Sequence, residues 1–470
     1  MKHRFATFRQ FAEDLLPHEY LLLQGQARFE DEENRYLLRQ LGEICVHRRE
    51  VDFREDIDKR KYSALISWAR KRLDRLDADR HFEQLNELHR RIMTDQITPE
   101  DEKALLALCN EVQPDFYFSR LYHLLLDFRQ FLQIRLRHRE HGLVDAFLKK
   151  YEDLYRYGRQ TLEALHDVTE QITHQYTTGK AVDADKTLAL ARWFQDEKLD
   201  GFSRYNALVR LTFIYYNQRS YNELLPLYEQ FEKWLVEGKF YARRILVNYY
   251  GNRLLMHSHL DQLVEAERYG RLSLRVHTTD YLHYLNNLAA VLHRAGKAAE
   301  ALVLLRNGFA EVKQTTNFHN RTGFVAIYLR CLNACGKARE AEQYAETFLG
   351  AFREAVFQHR WHPFFSAYLQ ALAQQQKFAK LIRVVKLNKL LPLDEGYRSR
   401  ASYLPIIPWL YALAAYRETQ LDEKEVLSKL KSDLAQLHAD AHRRQQLLAW
   451  CDEWKSLAPA LLQKVKSEGY

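Results

Sequence analysis

A chain of 470 residues with only 16 glycines and 9 prolines is poor in the residues on which strands and tight turns depend, so long helices with short connections are expected. Hydrophobic residues, at 47%, supply enough apolar area for a substantial core and exclude a disordered chain. The net charge of +8 comes from 70 basic against 62 acidic residues, too diluted for a dedicated nucleic-acid coat, yet it admits an acidic partner.

Five cysteines, scattered and odd in number, form no disulfide framework and point to a reducing compartment. The stretch Met1–Arg9 is basic, but Glu13 and Asp14 arrive before any apolar segment of secretory length. No run reaches the roughly 18 apolar residues that span a bilayer. A cytoplasmic protein, with no membrane contact, is expected.

Residues 1–180 read as a helical region without repeats. Tyr62, Leu65, Ile66, Ala69, Leu73 and Leu76 recur there at helical spacing, surrounded by Lys59, Arg60, Lys61, Arg70, Lys71, Arg72 and Arg75. The pattern predicts a helix over about 59–76 with one packing face and one basic face of the kind that contacts nucleic-acid phosphates. Interspersed acids, Glu55, Asp56, Asp58, Asp74, Asp77 and Asp79, favour ordinary solvated ion pairs instead. Thr98-Pro99-Glu100-Asp101 is a helix start, with a side-chain cap, proline in the first turn and acids at the positive end of the dipole. A further helix begins at Gln113-Pro114-Asp115 and carries Leu121, Leu124, Leu125, Phe128 and Leu132 toward His141-Gly142. Arg135, Arg137 and Arg139 with His138 make a second basic patch. Thr177-Thr178-Gly179-Lys180 reads as a linker, because it lacks the first glycine and the trailing hydroxyl of a phosphate loop.

Beyond residue 180 the chain repeats itself. Ala295-Gly296-Lys297-Ala298-Ala299-Glu300-Ala301 and Cys335-Gly336-Lys337-Ala338-Arg339-Glu340-Ala341 share Gly-Lys-Ala-x-Glu-Ala at a separation of 40 residues. Apolar helical patterns precede both, Leu285-Leu288-Ala289-Leu292 and Val325-Tyr328-Leu329-Leu332. The same order surrounds Arg219, Ser258 and Gln376, so five turn centres fall 39, 38, 40 and 40 residues apart. A single helix pair cannot bury its apolar face alone, and stacked neighbours supply the cover.

These units resemble tetratricopeptide repeats over roughly residues 201–391, a match carried by Asn286-Asn287-Leu288-Ala289 with Ala301 and by Tyr250-Gly251-Asn252. The spacing near 40 exceeds the family's roughly 34 residues and implies helices longer by about a turn. The resemblance implies an all-α protein: a right-handed α-α superhelix over 181–402, the helical N-terminal region over 1–180, and C-terminal capping helices over 403–470. It also implies that the first helix of each unit lines a concave groove. The positions so projected are Asn206, Phe213, Tyr216, Asn217, Asn248, Asn252, His283, Asn286, Asn287, His293, Arg294, Arg330, Asn333, Gln370 and Gln374. Asparagine dominates, and its amide offers donors and an acceptor to an extended peptide backbone. Asn252 and Asn287 fall on the two asparagines of the family's carboxylate clamp, whereas Asn248, Gly323 and Ile327 stand where its cations belong.

Tyr403-Leu404-Pro405-Ile406-Ile407-Pro408 interrupts the pattern before the capping helices. No phosphate-binding glycine loop, nucleophile elbow or His-Glu-x-x-His occurs. The pairs His138/His141, His359/His362 and His438/His442, the last beside Asp440, share helix faces but lack a third ligand. Cys331 and Cys335 read as small packing residues. Neither catalysis, cofactor nor metal is expected. The sequence reads as a non-catalytic adaptor for a protein or peptide partner; the alternative is a nucleic-acid-binding regulator that uses the 59–76 helix.

Overall fold

The computed structural model describes residues 5–109, 116–178, 183–398, 400, 403–436, 441–454 and 457–467. All regular structure among them is α-helical. The chain divides into two compact units, Met1–Leu260 and Asp261–Tyr470, so the division falls inside the stretch read as repeats.

In the first unit, the helices Ala6–Asp14, Pro17–Gln26, Glu32–Cys45 and Lys59–Leu76 share one core, in which Phe8, Leu23, Leu37, Leu41, Tyr62 and Leu65 are buried. The predicted helix start at Thr98 is present as a reciprocal cap: the Asp101 amide donates to Thr98 Oγ1 at 3.2 Å and the Thr98 amide to Asp101 Oδ2 at 2.9 Å. The helix Phe118–Ile134 buries Leu121, Leu124, Leu125, Phe128 and Leu132 together; its expected origin at 113–115 lies outside the described residues. It ends seven residues before His141. Leu136 turns left-handed at φ 57° and the Arg137 amide closes the turn on the Leu132 carbonyl at 3.0 Å. Arg135 holds the corner by lying 3.7 Å over the Phe131 ring. A second helix, His138–Thr178, then runs for 41 residues and packs against Gly201–Gln218; Gly179 and Lys180 of the expected linker lie outside the described residues.

Helix hairpins follow, and their turns share one geometry. Arg219 and, in the second unit, Asp261, Gly296, Gly336, Gln376 and Thr419 all have φ between 55° and 75°. At five of these turns the amide after the left-handed residue closes on a carbonyl five residues back: Ser220 on Tyr215, Lys297 on Leu292, Lys337 on Leu332, Lys377 on Leu372 and Gln420 on Ala415, at 2.8–3.0 Å. Glycine supplies two of these positions at no steric cost; a side chain with a Cβ is strained at the others by about 1 kcal/mol. The second turn centres on Asp261 rather than on Ser258, because the helix Arg243–His259 continues through Ser258. Thr419 adds a turn that sequence reading missed: Pro405 occupies the N-cap of the helix Ile406–Arg417, so the prolines open a further hairpin with Glu423–Gln436.

Within the second unit, first helices pack on first helices. Tyr281–Arg294 lies on Phe318–Ala334, which lies on Trp361–Gln374, which lies on Ile406–Arg417. The third of these is buried almost all round, from Trp361 to Ala373, as a helix with neighbours on every side must be. No described helix is long and apolar enough to cross a membrane.

Candidate partner-binding face

The projected groove residues sit on first helices, and asparagines among them join one first helix to the next. In the second unit Asn286 Nδ2 donates to the Asn320 carbonyl at 2.9 Å, and Asn333 Nδ2 to the Ala367 carbonyl at 2.8 Å. Both bonds reach 34 residues along the chain. Tyr216 does the same in the first unit, its hydroxyl donating to the Asn252 carbonyl at 2.9 Å. Burial raises the Tyr216 phenol well above its ordinary range, so it remains a donor. Asn252 Nδ2 in turn donates to Asn248 Oδ1 at 2.8 Å. Asn206 stays within its own helix, donating to the Phe202 carbonyl and accepting from Arg210. Phe213 is 57% exposed, and Asn217 is half-buried.

At the start of the Tyr281–Arg294 helix, His283 Nε2 meets Asn287 Nδ2 at 3.1 Å. The clamp position Gly323 faces an unexpected cation: Arg360, from the residue before the next first helix, passes so close that a Cβ on Gly323 would lie 3.4 Å from its Cδ. Ile327, the other such position, is buried. Arg360 Nε donates to His319 Nε2 at 2.9 Å, so that nitrogen carries no proton. Burial and then the Arg360 charge push His319 down to about 4, and the same two causes lower His283. Asn252 and Asn287, paired in the clamp resemblance, belong to different units.

Farther along, His293 is half-buried; burial, then the neighbouring Arg330 charge, push its imidazole down to about 4. The unfolded chain, with an ordinary value of 6.5, therefore takes up this proton first. Stability that is complete above pH 6.5 is lost as the pH falls toward 4, by about 2 kcal/mol after allowance for partial exposure. His293→Gln should flatten the dependence of second-unit stability on pH across this window, measured by urea unfolding at half-unit steps; an unaltered slope would remove His293 as its source. Arg294 pairs with Asp261 at 2.9 Å, and Gln374 is exposed.

Asn333 and Gln370 do not face solvent as the groove reading expects, and Arg330 is half-buried. The C-terminal helix Ala441–Glu453 meets two of them: Arg330 stands 5.4 Å from the Trp450 ring, and Gln370 Nε2 contacts Glu453 Oε1. Asn333 and Gln370 are 3% and 2% exposed. The chain thus covers part of its own projected groove.

The basic helix of the alternative reading forms as Lys59–Leu76, N-capped by Asp58, with Tyr62, Leu65, Ile66 and Ala69 buried. Its cations are divided among roles. Lys61 pairs with Asp31 and Glu33 at 2.6 and 2.7 Å, and Arg70 lies 5.4 Å from the Phe11 ring. Lys59, Arg60 and Lys71 are exposed. Arg72 and Arg75 join Arg28 around an open depression of about 430 Å³.

Among the described residues no three His, Cys, Asp or Glu side chains converge as metal ligands. His362 lies 3.3 Å from buried Asp394 and stacks on Tyr397, whereas His359 is exposed; His438 and Asp440 fall outside the described residues.

Sequence reasoning missed a buried polar network in the first unit. His18 Nδ1 lies 2.8 Å from the Tyr250 hydroxyl and its Nε2 2.9 Å from Glu232. Glu19, 1% exposed, accepts from the Leu16 amide and the Tyr241 hydroxyl, both at 2.8 Å. One signal was available: His18-Glu19 is a polar pair inside the apolar run Leu15–Leu23, and a polar pair that enters a core requires partners. No protein-family model, curated protein or solved structure matches this chain, so its function rests on these arrangements alone.

Proposed function

We propose that residues 181–402 form a right-handed, tetratricopeptide-like superhelix, and that the chain is a non-catalytic cytoplasmic adaptor binding a protein or peptide partner through the concave face lined by its first helices. One observation carries this reading: amides projected into the groove join successive first helices, Asn286 to the Asn320 carbonyl and Asn333 to the Ala367 carbonyl, and His283 bonds to Asn287 next to Asn286. The bridging asparagines hold the helices in register. His283 and Asn287 join each other by a side-chain hydrogen bond, and a peptide backbone has both donors and acceptors to replace that bond. The test compares the double variant His283→Ala/Asn287→Ala with Val303→Ala, whose side chain is 58% exposed on the second helix of the same hairpin. Cross-linking and mass spectrometry should place captured protein on residues 281–294, with capture at least about fivefold lower for the double variant and unchanged for Val303→Ala. Capture indifferent to the double variant overturns the reading.

Nucleic-acid binding is the second reading, favoured by the three arginines around the depression beside Leu76. It requires binding that collapses as salt rises and that Arg72 charge reversal weakens.

A further inference from the structure

The segment that meets Arg330 and Gln370 lies between two packed helices, Glu423–Gln436 before it and Pro459–Ser467 after it. The helix Pro459–Ser467 packs on Glu423–Gln436, with Lys464 paired to Glu423 at 2.5 Å, and Arg417 donates to the Leu457 carbonyl at 3.0 Å. From this anchor the helix Ala441–Glu453 extends over two first helices, Phe318–Ala334 through Trp450 and Trp361–Gln374 through Glu453. Leu447, Leu448 and Cys451, with Trp454 just beyond the helix, are buried, and the helix packs on Pro459–Ser467.

The seat fits imperfectly. Arg330 Nε, beside Trp450, is buried without a hydrogen-bond partner, so the helix meets a polar group that it does not satisfy. Burial lowers the Arg330 guanidinium, opposed by the Glu453 charge. A buried donor left without an acceptor carries its full desolvation penalty, which an occupant with an acceptor aimed at Arg330 avoids. We infer that the Ala441–Glu453 helix is an exchangeable occupant of this face, and that it yields to a partner helix with an aromatic residue in the place of Trp450 and a carboxylate placed to accept from Arg330 Nε. The inference rests on the partner-binding reading and adds its competitor and the chemistry of its ligand.

A tethered occupant acts at an effective concentration of about 1 mM, so the intact chain should exclude the same helix added in solution. The probe is a fluorescent synthetic peptide of residues 441–454, titrated by anisotropy under reducing conditions into the full chain. Two full-length variants open the seat, Trp450→Ala and the milder Glu453→Gln; melting curves report that each is folded. The expected result is peptide binding to either variant at least tenfold tighter than to the unaltered chain, and no binding by a peptide that carries Trp450→Ala itself. Equal affinity for the unaltered chain and both variants overturns the inference, as does absence of binding to both folded variants. The readout involves no natural partner, so its failure is distinct from capture that ignores His283 and Asn287, which strikes the partner reading alone.

Discussion

Glu19→Ala should destabilise the first unit by about 3–5 kcal/mol, the usual result of breaking a buried charged network from one side. The carboxylate sits near the start of the Pro17–Gln26 helix, where it satisfies the Leu16 amide, receives the Tyr241 hydroxyl and lies 3.2 Å from Arg243 Nε. Alanine removes the acceptor from the Leu16 amide and the Tyr241 hydroxyl and the charge beside Arg243, while Tyr241 remains 4% exposed, so its hydroxyl has no route to water. The contact spans 222 residues and ties the first helices of the unit to its last.

Burial raises the Glu19 carboxyl, with the Arg243 charge opposing. The folded state therefore holds this proton more firmly than the unfolded chain. The stability so linked is complete below the ordinary carboxylate range and declines as the pH rises through the raised value. Glu19→Gln mimics the protonated form, so its cost should be smaller, about 1–2 kcal/mol, and should shrink as the pH rises, because only the native carboxyl loses stability there. Because the chain has two units, a single unfolding midpoint is a poor measure. Hydrogen exchange of the Arg243–His259 amides reads the first unit directly, and protection unchanged in Glu19→Ala would show the network to be dispensable.

The contrast between Thr98 and Glu19 explains what sequence reading reaches. The Thr98 cap involves two residues three apart, and residues so close meet in any chain that forms the helix. The Gly296 and Gly336 turns are legible for the same reason, since a left-handed residue is required after a helix and glycine marks it. Gln376 was found only through its spacing, and Thr419 was missed because neither glycine nor the repeat motif marks it. The stripe Tyr62, Leu65, Ile66 and Ala69 declares which face is buried but not that Lys61 joins Asp31 and Glu33.

The candidate site was less legible still. Periodicity located the first helices, and through them Asn286, Asn287 and Asn333, yet pattern alone does not distinguish an amide that staples two helices from one that waits for a ligand. Cover by the Ala441–Glu453 helix was invisible for a further reason. Arg330 and Trp450 are 120 residues apart in sequence, and no local rule links a groove to a segment that returns over it.

Trp409→Ala is the matching experiment for the second unit, with an expected loss of about 3–5 kcal/mol. The indole is fully buried on the Ile406–Arg417 helix, and its Nε1 donates to Asp433 Oδ2 at 3.0 Å. Asp433 is itself 6% exposed, with Arg398 Nη1 at 3.6 Å from its other oxygen. Alanine thus opens a cavity and strips a buried carboxylate of its nearer donor. Trp409→Phe separates the two effects, because it keeps most of the ring and loses only the donor, for about 1–2 kcal/mol. Burial raises the Asp433 carboxyl, while the Arg398 charge and the indole hydrogen bond both favour its ionised form. Without the indole, ionisation becomes harder, so the cost of Trp409→Phe should rise as the pH passes above the carboxyl's raised value. In an Asp433→Asn background the same substitution should cost less and show no such dependence. A Trp409→Phe penalty that is flat with pH, and equal with Asp or Asn at position 433, would mean that the indole acts there only by its volume.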